Sequence, residues 1–174
     1  MFEISGLTVT RIDRGNESAM RELQALLERC SDYYELVEGR PAPPTAATDE
    51  FDMPAEYSRD DIFVLAFREG EDLIAEMSLV RNCPKPTEWW MALFVVQPAS
   101  RSRGLGARIC DATFNWIASI GGTAMVMAVD EENPRGERFW QSLSLVETGR
   151  RDYAPATGMQ RRVVIMRRAL TPTR

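Results

Sequence analysis

The 174 residues predict an α/β chain of the α+β kind, built on one mixed sheet. Three observations carry that expectation. Apolar runs of strand length alternate with stretches at helical spacing along the whole chain. The runs Ile62 to Phe67 and Leu73 to Val80 flank a charged glycine turn, Arg68-Glu-Gly-Glu-Asp72, which predicts a β-hairpin. The run Trp89 to Val96 is followed by a glycine-containing loop, a long amphipathic stretch and a further apolar run, Ala124 to Val129. Strands joined through a helix in this way pair in parallel.

Taken in order, Leu7 to Ile12 alternates as a strand does. Asn16 suits a helix N-cap and Glu17 the positive first turn. Leu23, Leu26, Leu27 and Cys30 then form one apolar face, so a helix runs from about Glu17 to Cys30. A second short helix includes Tyr33, Tyr34 and Leu36. Pro41, Pro43 and Pro44 interrupt regular structure, and the acidic run Asp49, Glu50, Asp52, Glu56, Asp60, Asp61 follows. Residues 40–60 are read as a mobile loop, either simply solvated or bordering a site for a cation.

After the hairpin, Pro84 and Pro86 end that unit. Trp89 to Val96 is nearly continuous in apolar residues, as a strand buried on both faces is. Ile109, Ala112, Trp116, Ile117 and Ile120 lie on one helical stripe closed by Gly121-Gly122. Ala124 to Val129 is a buried strand. Asn133 to Leu143 is a short helix with Pro134 in its first turn. Val146 to Tyr153 and Val163 to Met166 are the last strands. No repeat or second composition regime divides the chain, so residues 1–174 are read as a single domain.

Composition removes several chemistries. The chain has no histidine, so it has no Ser-His-Asp triad, Cys-His pair or HExxH zinc site. Twenty arginines and a single lysine, Lys85, stand against 26 acidic residues, for a net charge of −5. That balance argues against a broad nucleic-acid face and suits a cationic partner. Cys30, Cys83 and Cys110 are odd in number and widely spaced, which predicts reduced, buried thiols and no metal centre. The chain shows neither a basic-then-apolar leader nor a run of about 18 apolar residues. A cytoplasmic protein without a membrane partner is the expectation.

Chemistry concentrates in Leu93-Phe-Val-Val-Gln-Pro-Ala-Ser-Arg-Ser-Arg-Gly-Leu-Gly-Ala-Arg-Ile109. A buried strand gives way to a short loop with Arg101, Arg103, Gly104 and Gly106, and a helix starts at once. Glycines admit a close ligand, and unpaired N–H groups at a helix start attract an anion. The loop is therefore a phosphate or pyrophosphate site, flanked by two arginines. A Walker loop needs Gly-Lys-Ser/Thr, which is absent. A GxGxxG fingerprint fails at Ile109.

Arg101-x-x-Gly104-x-Gly106, preceded by Val96-x-Pro98, resembles the central motif of the GNAT superfamily of acyl-CoA-dependent N-acyltransferases. Asn133 with Phe139-Trp140 is similar to that family's Asn-x-x-Ala-x-x-Phe-Tyr segment. The resemblance implies a GNAT-like fold: a twisted, mostly antiparallel sheet, one parallel crossover, and helices on both faces. It implies acetyl-CoA as cosubstrate and no metal. The amides of Ser102, Arg103, Gly104, Leu105, Gly106 and Ala107 would hold the pyrophosphate, beside Arg101. The strand edge at Phe94, Val95 and Val96 would pair with the pantetheine, and the next strand would splay away from it. The Phe94 amide would stabilise the oxyanion. Asn133, Phe139 and Trp140 would border the cofactor.

For the proton transfers the sequence offers several candidates. Glu88 is a candidate base, placed by period-two alternation on one face with Trp90, Ala92 and Phe94. The usual tyrosine acid is replaced by Trp140, whose indole N–H is a very poor acid. Tyr153, Tyr33 or Tyr34 would act instead, or water would, or the protein would bind acyl-CoA without turnover. Tyr33, Tyr34, Glu35 and Trp90 would receive a cationic amine. The implied activity is acetyl transfer to a primary amine of a small molecule, or less readily of a protein or peptide. The alternative is a non-catalytic acyl-CoA sensor or interaction protein, and a nucleotide-binding module is a third reading. Homodimers are common among similar proteins, and nothing in the sequence fixes the oligomeric state.

Overall fold

The computed structural model describes residues 2–52, 57–153 and 160–171. In chain order the elements are β1 (Thr8–Arg11), α1 (Glu17–Arg29), α2 (Ser31–Glu38), α3 (Ala46–Asp49), β2 (Ile62–Glu69), β3 (Asp72–Arg81), β4 (Glu88–Val96), α4 (Leu105–Ser119), β5 (Ala124–Asp130), α5 (Pro134–Ser142), β6 (Val146–Tyr153) and β7 (Arg161–Ala169). The strands form one seven-stranded sheet in the order β1-β2-β3-β4-β5-β7-β6. Neighbouring strands are antiparallel except β4 and β5, which α4 joins in parallel. This is the mixed sheet with one crossover that the sequence predicts.

Each face of the sheet carries its own helical layer. On one face Phe67, Met77, Trp89, Met91, Met127 and Met166 pack under α4 and α5 through Ile109, Phe114, Ile117, Trp140 and Leu143. On the other face Val64, Ala66, Leu93 and Val95 pack under α1, α2 and α3 through Leu23, Leu26, Leu27, Tyr34, Ala46 and Ala47. Full burial of one such large apolar side chain contributes about 1.5–3 kcal/mol. Asn16 Oδ1 accepts the Ala19 N–H at the start of α1, with Glu17 and Arg29 at the favourable dipole ends.

Two elements depart from the sequence expectation. The segment read as a loop from 40 to 60 contains α3, whose Ala46 and Ala47 are buried. Gln24 of α1 holds it, donating to the Pro43 carbonyl and accepting from the Ala47 N–H. The prolines shape its approach, and two small buried alanines are too short a pattern to show helical periodicity. A 3-10 turn covers Arg59–Asp61, and Glu56 of the acidic run lies outside the described residues. Strand β7 also starts two residues before the apolar run, at Arg161. Arg161 is buried because Asp130, Glu132 and the Leu36 carbonyl take its guanidinium. Cys30, Cys83 and Cys110 are free and buried. Among the described residues no helix is long and apolar enough to cross a membrane.

Candidate active site

Strands β4 and β5 pair only from Glu88↔Ala124 to Met91↔Met127. Beyond that point β4 runs on to Val96 beside β3, while β5 runs on to Asp130 beside β7. The sheet therefore opens between them at Leu93 to Val96. The cause sits in β4 itself. Leu79 faces Met91 while Ser78 faces Leu93, so Ala92 is an extra, bulged residue.

The bulge overturns one expectation from the sequence. An inserted residue switches the side-chain alternation. Phe94 and Val96 face the α4–α5 layer with Trp89 and Met91. Glu88 and Trp90 therefore share the opposite face, with Leu93 and Val95, and Glu88 does not share a face with Phe94. Period-two reading fails here because a bulge leaves no mark in the apolar pattern.

The loop after β4 is shaped for an anion. Ser102 has φ 63° and Gly104 φ 70°, both left-handed. Gly104 is the N-cap of α4 and supplies no side-chain cap. Among the described residues no acceptor takes the main-chain N–H groups of residues 102 to 107. The neighbouring N–H groups are used: Arg101 donates to Pro98 and Arg108 to Gly104. A run of unpaired amides at the start of a 15-residue helix fits a pyrophosphate. Leu105 is buried beneath it, and Gly106 and Ala107 are half-buried.

Arg101 is not free to serve as a phosphate ligand. Its Nε donates to the Val96 carbonyl at 2.7 Å, and both terminal nitrogens bond the Asp32 carboxylate of α2. That contact holds the Asp32 carboxyl below the usual carboxylate range. Arg101 thus clamps α2 against the end of β4, whereas Arg103 is exposed and carries no ion pair among the described residues.

Behind the loop, Phe94, Phe139 and Trp140 form an aromatic group. Trp140 is edge-on to Phe139 at 4.7 Å and tilted against Phe94 at 6.0 Å. Gly106 lies against it, and a Cβ there would meet Phe139 Cζ at 3.3 Å. Trp140 is buried and packs in the core with α5. Asn133 Oδ1 accepts the Gly136 N–H at 2.8 Å, so this side chain caps α5.

Glu88 is also committed. It is buried, and its Oε1 accepts from Arg167 Nη2 at 3.0 Å. Trp90 carries the Arg151 guanidinium at 5.5 Å from its ring centre. Tyr153 is half exposed at the end of β6, within electrostatic reach of Tyr33. Glu35 is exposed on α2.

The sequence reading named Glu50 only within the acidic run and missed Glu76, with which it forms an acidic pair beneath α2. Glu76 is completely buried on β3, and Ser78 Oγ donates to its Oε1 at 2.5 Å. Glu76 lies opposite Val95, and Ser78 opposite Leu93, on the same sheet face as those residues. Half-buried Glu50, just after α3, joins them through Ser78. Burial pushes the Glu50 carboxyl up to about 7, helped by the charges of Asp49 and Glu38. Burial, then the Glu50 charge, holds Glu76 well above the usual range. Tyr33 and Tyr34 stack edge to face at 5.6 Å over this pair. Burial raises both phenols, and the Glu50 charge adds to it. The available signal was a glutamate and a serine at i, i+2 inside the apolar run Leu73 to Val80.

A family model described as the Acetyltransferase (GNAT) family matches residues 22–144. The chain belongs to the GNAT family. It is an acyltransferase, and acetyl-CoA is the family's cosubstrate. Among solved structures, an acetyltransferase from Thermus thermophilus is 14% identical with a TM-score of 0.72, over 98% of this chain and 100% of that one. The ribosomal-protein-S18-alanine N-acetyltransferase from Escherichia coli is 14% identical with a TM-score of 0.69, over 97% and 96%. An aminoglycoside 6'-N-acetyltransferase complexed with coenzyme A is 16% identical with a TM-score of 0.69, over 96% and 99%. At these identities the likeness establishes the fold. No curated protein sequence matches the chain.

Proposed function

We propose that this GNAT protein transfers an acetyl group from acetyl-CoA to a primary amine of a small molecule. The observation that carries the reading is the run of unpaired N–H groups from 102 to 107, set beside the opening between β4 and β5. The amides would hold the pyrophosphate, with Arg103 as the available cation. The freed edge of β4 at Phe94 and Val95 would align the pantetheine. The Phe94 amide is the proposed oxyanion donor, worth about 3 kcal/mol for a well-placed group.

Acetyl-CoA supplies an activated acyl group, and the chain supplies position and proton management. Trp140 offers no acid, so the departing thiolate takes its proton from solvent or from Tyr153. Glu88 is a weak choice of base, because its carboxylate is already taken by the Arg167 guanidinium, and it does not share a face with Phe94. The net charge of −5 favours a cationic acceptor.

Free-thiol release from acetyl-CoA across a panel of primary amines tests the reading. Amine-dependent release at least tenfold over the amine-free rate is the expected result. Tight CoA binding with no release on any amine would support a non-catalytic sensor instead.

A further inference from the structure

Among the described residues, the buried acids Glu76, Glu88 and Asp130 and the half-buried Glu50 fall into two groups. Glu88 is paired with Arg167, and Asp130 lies 3.8 Å from the Arg161 guanidinium. Glu50 and Glu76 have no such partner: among the described residues neither makes an ion pair, although the chain holds 20 arginines. Among the described residues, the charges acting on the pair are Glu38 of α2 and Asp49 of α3, and the pair acts in turn on Tyr33 and Tyr34; none of these is a cation.

Two buried atoms of this group have no hydrogen-bond partner among the described residues. Glu76 Oε2 is buried and unbonded. Tyr34 Oη is also unbonded, in a residue only 6% exposed. Buried polar atoms are normally paired, so two orphans beside an uncompensated acidic pair mark a missing ligand. Its chemistry follows from the groups around these two atoms. Two carboxylate oxygens and a phenol oxygen accept hydrogen bonds, and two aromatic rings favour a cation.

We infer that Glu50, Ser78, Glu76 and Tyr34 form the receptor for the acceptor's ammonium group and take its proton. This rests on the proposed acetyl transfer and assigns its acceptor side. Position agrees with the role. Glu76 and Ser78 stand opposite Val95 and Leu93, one strand spacing of about 4.8 Å from the β4 edge that opens toward β5.

The proton balance closes. An alkylammonium gives one proton to the carboxylate pair, where Ser78 can donate to one carboxylate while accepting from the other, protonated one. The nitrogen lone pair then forms the C–N bond as the C–S bond breaks. The departing thiolate takes one proton, and the second proton returns to solvent. Because both carboxyls are held above their ordinary range, the pair carries more charge as pH rises from 6 to 8.

The test is calorimetric titration of the CoA-saturated protein with n-propylammonium and, separately, with n-propanol. Wild type should bind the ammonium at least tenfold better than the alcohol at pH 8. Its ammonium affinity should fall severalfold at pH 6. Glu76→Gln and Glu50→Gln should each weaken the ammonium at least tenfold, with CoA affinity within twofold of wild type. The pH dependence should vanish in the double variant. Gln matches the protonated acid in shape, and the wild-type pH arm needs no variant to fold. Equal binding of ammonium and alcohol, or unchanged ammonium affinity in both variants, would overturn the inference alone. Failure of wild type to bind CoA would overturn the acetyl-transfer reading instead.

Discussion

Replacing Gly104 with aspartate is expected to weaken CoA binding at least a hundredfold and leave the fold intact. The left-handed φ of 70° costs aspartate little, since Asp and Asn visit that region more readily than other residues. Nothing lies within 4 Å of a Cβ built at this position. The new carboxylate stands at the N-cap of α4, where it accepts from the first-turn N–H groups and favours the helix. Those same N–H groups are the proposed pyrophosphate ligands, so the carboxylate both occupies them and repels the anion. A hundredfold corresponds to about 2.8 kcal/mol. Gly104→Asn caps without charge and should lose clearly less. Thermal melting within about 3 °C of wild type, beside lost CoA affinity by calorimetry, is the expected pattern. Unchanged CoA affinity in Gly104→Asp would remove the loop from the cofactor site.

The second large effect concerns stability at the other end of α4. Gly121 and Gly122 separate the helix from β5 and differ sharply in surroundings. A Cβ on Gly122 would fall 2.2 Å from Ile117 Cγ2, 2.9 Å from the Ile117 carbonyl oxygen and 3.0 Å from Trp89 Nε1. The carbonyl is backbone and is already bonded to the Gly122 N–H at 2.8 Å, so it cannot give way cheaply. Trp89 is almost fully buried against Phe63 and Trp116. Gly122→Ala must therefore push the end of α4 away from β4, at a cost of about 3 kcal/mol. For a chain of this size that is a fall in melting temperature of roughly 6–12 °C. Gly121→Ala meets open space and pays only for φ 90°, about 1 kcal/mol. Differential scanning calorimetry of the two variants separates close packing from backbone strain. Equal, small losses would mean that α4 and β4 are not as closely fitted as described.

Most of the fold was legible in the sequence because its signals are local. Asn16, the Leu23-Leu26-Leu27 face, the Gly70 turn and the Gly121-Gly122 stop each act over a few residues. The proposed phosphate loop was legible for the same reason, since its glycines and the helix behind it are consecutive. What escaped depends on distant partners. The bulge at Ala92 is defined by the register between β3 and β4, and it moved Phe94 to the face opposite Glu88. Arg101 looked like a free cation, because nothing local says that Asp32 will reach it from α2. Arg161 looked like loop, because its burial depends on Asp130 and Glu132. Glu50 and Glu76 are far apart in sequence, and only the folding of α3 over β3 joins them through Ser78.

The central claim is that the start of α4 holds the cosubstrate while the opened edge of β4 aligns it for transfer. A crystal structure of the protein with CoA bound tests it most directly. The expected result is pyrophosphate oxygens within about 3 Å of main-chain nitrogens between residues 102 and 107, with the pantetheine between β4 and β5 beyond Met91 and Met127. CoA bound anywhere else on the chain, with those amides facing solvent, would contradict the account.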